Sequence, residues 1–272
     1  MTEQTAHAKI IVVTGASSGF GEQIAKALAL AGHRVFGTSR NHKPDADGVR
    51  MVRLDVTDDA SVAACIALVM AEAGRIDVLV NNAGIGICGA IEDTSLAEAQ
   101  AQLDTNFWGA VRLIQGILPI MRNQRSGRIV TIGSLAGHAA LPYQAFYSAS
   151  KFALEGLNEA LRLELTGTGI DATIICPGDF RTGFTAARRV AEKAAGSFYA
   201  GKMERTVKIY ERDELNGADP AQVARLVVTI VRAGKVRVRY SVGKFEQRFG
   251  ILLKRWLPPE WFELIMQSTY QL

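Results

Sequence analysis

Cysteine is scarce and scattered: Cys65, Cys88 and Cys176 stand far apart in a chain of 272 residues. An odd number without paired spacing excludes a disulfide framework and a cysteine-based metal site, and fits a reducing, cytoplasmic setting. Long hydrophobic runs are absent as well, since no stretch reaches the ~18 apolar residues of a membrane-spanning helix. The segment from Met1 to Lys9 is polar and lacks the apolar run of a secretory signal. A dominant charge is also missing. Lys and Arg number 31 against 27 Asp and Glu, and the resulting +4 is mild and spread along the chain. Nothing in that balance demands a nucleic-acid partner. What remains is ordinary soluble usage, 48% hydrophobic and 21% charged, with length enough to bury a full core without metal or disulfide staples.

Apolar runs alternate with amphipathic stretches throughout. Strands are expected at Ile10–Val13, His33–Thr38, Met51–Leu54, Ile76–Val80, Arg128–Ile132, Ala172–Ile175 and near Val236–Tyr240. Helices are expected at Gly21–Ala31, Ser61–Ala73, Leu96–Met121, Tyr147–Leu165 and Pro220–Val231. Pro119 should bend or end the third of these, and Asp219 should cap the last. The alternation predicts an α/β fold: one doubly wound Rossmann-type domain over residues 1–272, with a parallel sheet of about seven strands and helices on both faces. Residues 183–216 form the least regular stretch, an insertion placed to act as a substrate lid. Residues 241–272 read as a C-terminal extension.

The chemistry begins after the first strand, at Thr14-Gly15-Ala16-Ser17-Ser18-Gly19-Phe20-Gly21. Glycines permit a tight turn and close backbone approach to a pyrophosphate, and the following helix offers free N–H groups. The second strand ends at Arg40 with no acid at Thr38 or Ser39. An arginine there accommodates a 2′-phosphate, so NADP is favoured over NAD. Asp55, followed by Val56, is placed to accept from an adenine amino group, though a lone Asp could equally cap the next helix. Asn82, Ala83 and Gly84 close the fourth strand with small residues where a cofactor would lie. Ser134 follows the fifth strand. Tyr147 and Lys151, four apart on one helix, share a face. A phenol titrates near ~10, and an adjacent ammonium favours its ionised form, as a base at neutral pH requires.

Together these motifs resemble the short-chain dehydrogenase/reductase family in its compact form, from Lys9 to about Tyr240. The resemblance also rests on Asn106 and on Pro177-Gly178-Asp179-Phe180-Arg181-Thr182. It implies an oxidoreductase in which Tyr147 exchanges a proton with the substrate oxygen and Ser134 holds that oxygen. Lys151 would lower the Tyr147 pKa and bond the nicotinamide ribose, and Asn106 would position a water linking Lys151 to solvent. Pro177, Gly178, Phe180 and Thr182 would meet the nicotinamide end. No metal is implied. The expected reaction is NADP(H)-dependent interconversion of a secondary alcohol and a ketone on a hydrophobic, steroid-, retinoid- or lipid-like substrate. A non-catalytic NADP-binding sensor and a 3-oxoacyl reductase are the alternatives. The resemblance also implies a homodimer or homotetramer.

Three features lie outside these motifs. His138 reads as a loop residue or a pocket wall, and Cys88 as a packed hydrophobe. Between Lys235 and Arg255 seven basic residues face one acid, and Trp256, Trp261, Phe262 and Ile265 follow. That tail reads as a cover for a bulky substrate, a contact with an anionic membrane surface, or a segment packed on its own subunit.

Overall fold

The computed structural model describes residues 8–41 and 43–272, so most of the polar Met1 to Lys9 segment lies outside the described residues. The chain runs β1 (Ile10–Val13), α1 (Gly19–Leu30), β2 (Arg34–Ser39), β3 (Val49–Arg53), α2 (Asp59–Ala73), β4 (Val78–Asn81) and the short β5 (Ile87–Cys88). It continues through α3 (Leu96–Leu103), α4 (Gly109–Gln124), β6 (Gly127–Ile132), α5 (Ala145–Glu164) and β7 (Ile170–Pro177). The remainder is α6 (Phe184–Ala187), β8 (Arg189–Val190), α7 (Ala200–Leu215), α8 (Ala221–Arg232), β9 (Arg239–Val242), α9 (Phe245–Lys254) and α10 (Pro259–Tyr270).

Seven strands pair in parallel in the order β3-β2-β1-β4-β6-β7-β9. Strands β1 and β4 are buried at every position, which is why they read as unbroken apolar runs: helices cover both faces of a parallel sheet. On one face α2, α4 and α5 pack through Val69, Leu113, Ile117, Met121 and Leu161. On the other, α1 and α8 pack through Ile24, Leu28, Val223, Val227 and Val231. The strand order reverses direction between β1 and β4, and ligands of doubly wound sheets bind at such a switch point. The glycine loop and the Asn81–Gly84 turn both leave the sheet there.

Three stretches differ from the sequence expectation. The helix expected over Leu96–Met121 is broken by a π-helical turn at Asp104–Trp108, whereas Pro119 sits inside α4 without ending it. The extra residue of a π turn breaks the regular ladder, and here it holds Asn106 inward, 2% exposed, where its side chain serves the backbone of Ile85. The last strand extends to Val242, so the first two residues of the expected extension belong to the sheet, opposite Cys176 and Pro177. Asp219 caps as expected, accepting from Ala221 N at 2.9 Å. The 183–216 segment is more regular than its sequence suggests. It contains α6 and α7, and β8 pairs in parallel with β5.

Candidate active site

The glycine loop is locked to the β4 turn by Thr14 and Asn82. Thr14 Oγ1 accepts from the backbone N–H groups of Asn82 and Ala83 at 2.9 and 3.0 Å. The Asn82 side chain donates to the carbonyls of Thr14 and Gly15. Two glycines are required by geometry. Gly15 has φ +65°, and a Cβ on Gly21 would stand 2.2 Å from the Gly15 carbonyl oxygen. Ser18 precedes α1 with an extended backbone, and its side chain makes no capping bond. The helix therefore presents free N–H groups beside the exposed Ser17 and Ser18. Phe20 packs edge-on against Phe180 at 5.2 Å, tying the loop to the segment after β7. Between them opens a 310 Å³ cleft lined by Gly19, Gln23, Arg181, Thr182 and Glu214 among others. These residues fit a dinucleotide.

Arg40 is exposed at the end of β2. Asp55 accepts from Thr57 N and Oγ1 at 3.0 and 2.7 Å. The Thr57 backbone bond chiefly holds its carboxyl below the ordinary range, with Arg40 and Arg112 adding to the effect. The cap of α2 is Asp58 instead, which removes the capping explanation for Asp55. Val56 is buried against Gly109.

Ser134, Tyr147 and Lys151 converge at the carboxyl ends of β6 and β7. Ser134 opens a short 3₁₀ turn and accepts from Ala136 N at 3.1 Å. Burial pushes the Tyr147 phenol up to about 12, while a hydrogen bond from Ser134 works in the opposite direction. Burial also brings the Lys151 ammonium down to about 8. Lys151 Nζ donates to the Ile132 carbonyl at 3.0 Å and lies 5.7 Å from the centre of the Tyr147 ring. Burial dominates the phenol in the protein alone, and the lowering expected from Lys151 is not present there. Asn106 Nδ2 donates to Ile85 O at 3.0 Å and Ser150 Oγ at 3.2 Å. A cavity of about 10 Å³, lined by Thr14, Asn81, Asn106 and Ile132 among others, has room for about one water.

Several site residues carry no sequence motif. Phe184 on α6 sets its ring 5.7 Å from that of Tyr147. Arg188 has a side chain only 3% exposed, is paired with Glu214, and lies over the rings of Phe184 and Tyr210. Asp179 accepts from Gln247 of α9, and burial pushes its carboxyl up to about 6. The four-residue spacing of Phe184 and Arg188 was the one available signal, in a stretch read as irregular. His138 is not a pocket wall. Its Nε2 lies 3.2 Å from Glu155 Oε1, which also accepts from Cys176 Sγ at 2.9 Å, while Arg239 holds the other oxygen. Burial raises the Glu155 carboxyl, but the bonds from His138, Arg239 and Cys176 outweigh it and leave the net shift downward. Cys88 is fully buried, and burial lifts its thiol to about 12, as expected of a packed hydrophobe. In the tail, Trp256, Trp261 and Ile265 are 81%, 63% and 43% exposed, so they face outward and do not close over the site.

The sequence profile described as short chain dehydrogenase matches residues 9–193. The chain belongs to the short-chain dehydrogenase/reductase family. It is accordingly an oxidoreductase, and the family binds a nicotinamide cofactor. Among curated relatives it is 41% identical over 263 residues to a 3-ketodihydrosphingosine reductase of Bacteroides thetaiotaomicron, covering 96% of this chain and 98% of that one. It is 33% identical to bovine (Bos taurus) retinol dehydrogenase 8 over 85% of this chain and 80% of the relative. Among solved structures, a short-chain dehydrogenase from Streptomyces avermitilis superimposes with a TM-score of 0.82 at 34% identity, over 99% of this chain and 100% of that one. A Burkholderia phymatum family member in complex with NAD gives 0.80 at 26% identity, covering 94% and 95%. A serine dehydrogenase complexed with NADP+ gives 0.74 at 28% identity, covering 86% and 94%.

Proposed function

We propose that this family member interconverts a secondary alcohol and a ketone with NADP(H), on a hydrophobic, lipid-like substrate. The observation that carries the reading is the convergence of Ser134, Tyr147 and Lys151 beside the glycine loop at the switch point of the sheet. The nicotinamide, when bound, supplies or accepts the hydride. Tyr147 gives its phenolic proton to the ketone oxygen or takes it from the alcohol. Ser134, already facing that phenol, donates to the same oxygen and fixes its distance. Lys151, buried on α5, holds positive charge 5.7 Å from the centre of the Tyr147 ring, which together with the charge of the oxidised nicotinamide would offset the burial that opposes the phenolate. The water-sized cavity at Asn106 and Ile132 supports a proton path from Lys151 towards solvent. Arg40, with no carboxylate at Thr38 or Ser39, supports NADP, since a cation there favours a 2′-phosphate.

The lipid-like substrate is supported by the names of the two relatives and by the apolar wall of the 183–216 lid. Phe184 lies over Tyr147, Tyr199 stands 6.4 Å from Tyr143, and Ala191, Ala194 and Met203 pack on Ile87. Exposed Trp108 on the π turn and Leu163 on α5 support pairing of α4 and α5 between two copies. A panel of long-chain and short-chain ketones, followed by NADPH and NADH oxidation, tests the reading. Faster turnover of long-chain ketones with NADPH is expected. No oxidation of NADPH with any ketone, or a preference for NADH, would refute it.

A further inference from the structure

We propose that the outer faces of α9 and α10 dock on an anionic phospholipid bilayer. Eight of the 18 exposed large apolar side chains among the described residues lie between Phe245 and Leu272, about a tenth of the chain. Along α9 and the turn that follows it they fall in steps of four, three and four: Phe245, Phe249, Leu252 and Trp256. That spacing is one helical face, and the rings of Phe245 and Phe249 stack at 5.8 Å. On α10, Trp261 and Leu264 are each 63% exposed. Neither helix contains a buried residue. Each is held only by its inner edge, α9 through Ile251 against the Leu135 cluster and α10 through Tyr270 against Tyr210. Exposed apolar side chains concentrated in this way mark a contact made with something else.

Charge selects the partner. Lys235, Arg237, Lys244, Arg248 and Arg255 are exposed before, in and just after α9, with Glu246 as the one acid in that stretch. The remaining bases are engaged inward, Arg239 on Glu155 and Lys254 on the His138 carbonyl. Glu260 and Glu263 confine the positive field to the α9 side. A second copy docking here about a twofold axis would set the basic cluster against itself. Anionic headgroups neutralise it, and tryptophan and phenylalanine at the level of the basic residues match the depth at which amphipathic helices lie in a bilayer. The inner edge of α9 also carries Gln247, which bonds Asp179 and the Asp179 N–H, so docking lays the catalytic cleft beside the bilayer. Only this last point rests on the lipid-substrate reading, because the surface binds lipid whatever the substrate.

The test is sedimentation of the purified full chain with vesicles of phosphatidylcholine alone or mixed with phosphatidylserine, at low and high salt. The protein should pellet with the mixed vesicles at low salt and stay in solution with phosphatidylcholine alone or at high salt. Arg248→Gln combined with Arg255→Gln should weaken binding about thirtyfold, and Trp256→Ser combined with Trp261→Ser should abolish it. Turnover of a water-soluble ketone should be retained in both variants. Two results would overturn the proposal: full-length protein remaining in solution with the mixed vesicles, or a halved particle mass by light scattering for the tryptophan variant, which would put a second copy on this face. The lipid and salt arms use the unaltered protein and decide the matter even if a variant misfolds. Vesicle binding without lipid-ketone turnover would fault the substrate reading alone.

Discussion

Lys151 and Tyr147 stand one turn apart on α5, yet the ammonium donates to the Ile132 carbonyl at 3.0 Å and lies 5.7 Å from the centre of the phenol ring. The ammonium is thus committed to a carbonyl and not to the phenol, and burial opposes the charged form of both. Tyr147→Phe should bind NADPH within about twofold of normal and lose at least 10²–10⁴ of its turnover, the usual scale of a positioned proton donor. Lys151→Ala should lose turnover and weaken NADPH as well. Steady-state rates beside a fluorescence titration of NADPH separate the two, and substantial turnover in Tyr147→Phe would end the assigned role.

Arg40 should matter only to a cofactor bearing a 2′-phosphate. A charge-assisted contact is worth about 1.5–3 kcal/mol, so Arg40→Ala should weaken NADPH by about ten- to a hundredfold and leave NADH nearly unchanged. Equal losses in Kd for both cofactors would show that this arginine does not read the phosphate.

Asp179 carries a pH signature. Burial raises its carboxyl to about 6 in the folded protein, above the ~3.9 of an unfolded chain. The folded state therefore binds the proton more tightly, and the penalty is present above pH 6 and relieved as pH falls towards 4. Asp179→Asn should raise stability at pH 8 by on the order of 1 kcal/mol after solvent screening and give only about a third of that gain at pH 4.5. Melting curves at the two pH values check this, and an equal shift at both would assign the effect to packing.

The exposed Trp108 and Leu163 should be covered by a second copy. Light scattering should give twice the 29.4 kDa of the chain. Trp108→Glu with Leu163→Glu should return the monomer mass. A monomer before substitution would remove the pairing of α4 and α5.

The sheet was legible because parallel strands are buried on both faces and leave unbroken apolar runs, as at Ile10–Val13 and Val78–Asn81. The placing of Tyr147 and Lys151 together was legible because residues four apart on a helix share a face. What the sequence hid has a common cause in contacts distant along the chain. A two-residue strand such as β8 has no periodicity, and it forms because Ile87 and Cys88 wait opposite it. The inward turn of Asn106 depends on the backbone of Ile85, and the burial of Arg188 depends on Glu214. Spacing also could not show that the Lys151 ammonium is committed to Ile132, since that carbonyl arrives from β6.

The seventh strand of the sheet comes late in the chain. β9 pairs with β7 only after the whole 183–216 segment and α8 have been made, and residues around it complete the neighbourhood of α5. The Val238 carbonyl accepts from Asn158, the Arg237 carbonyl accepts from Thr173, and Arg239 pairs with Glu155. On the ribosome, β7 is therefore an open edge and Glu155 lacks its guanidinium until nearly all of the chain has emerged. An unpaired parallel edge is a template for wrong pairing. The nascent protein thus passes through a stage in which the strand that carries Cys176 and Pro177 has one edge open to wrong pairing.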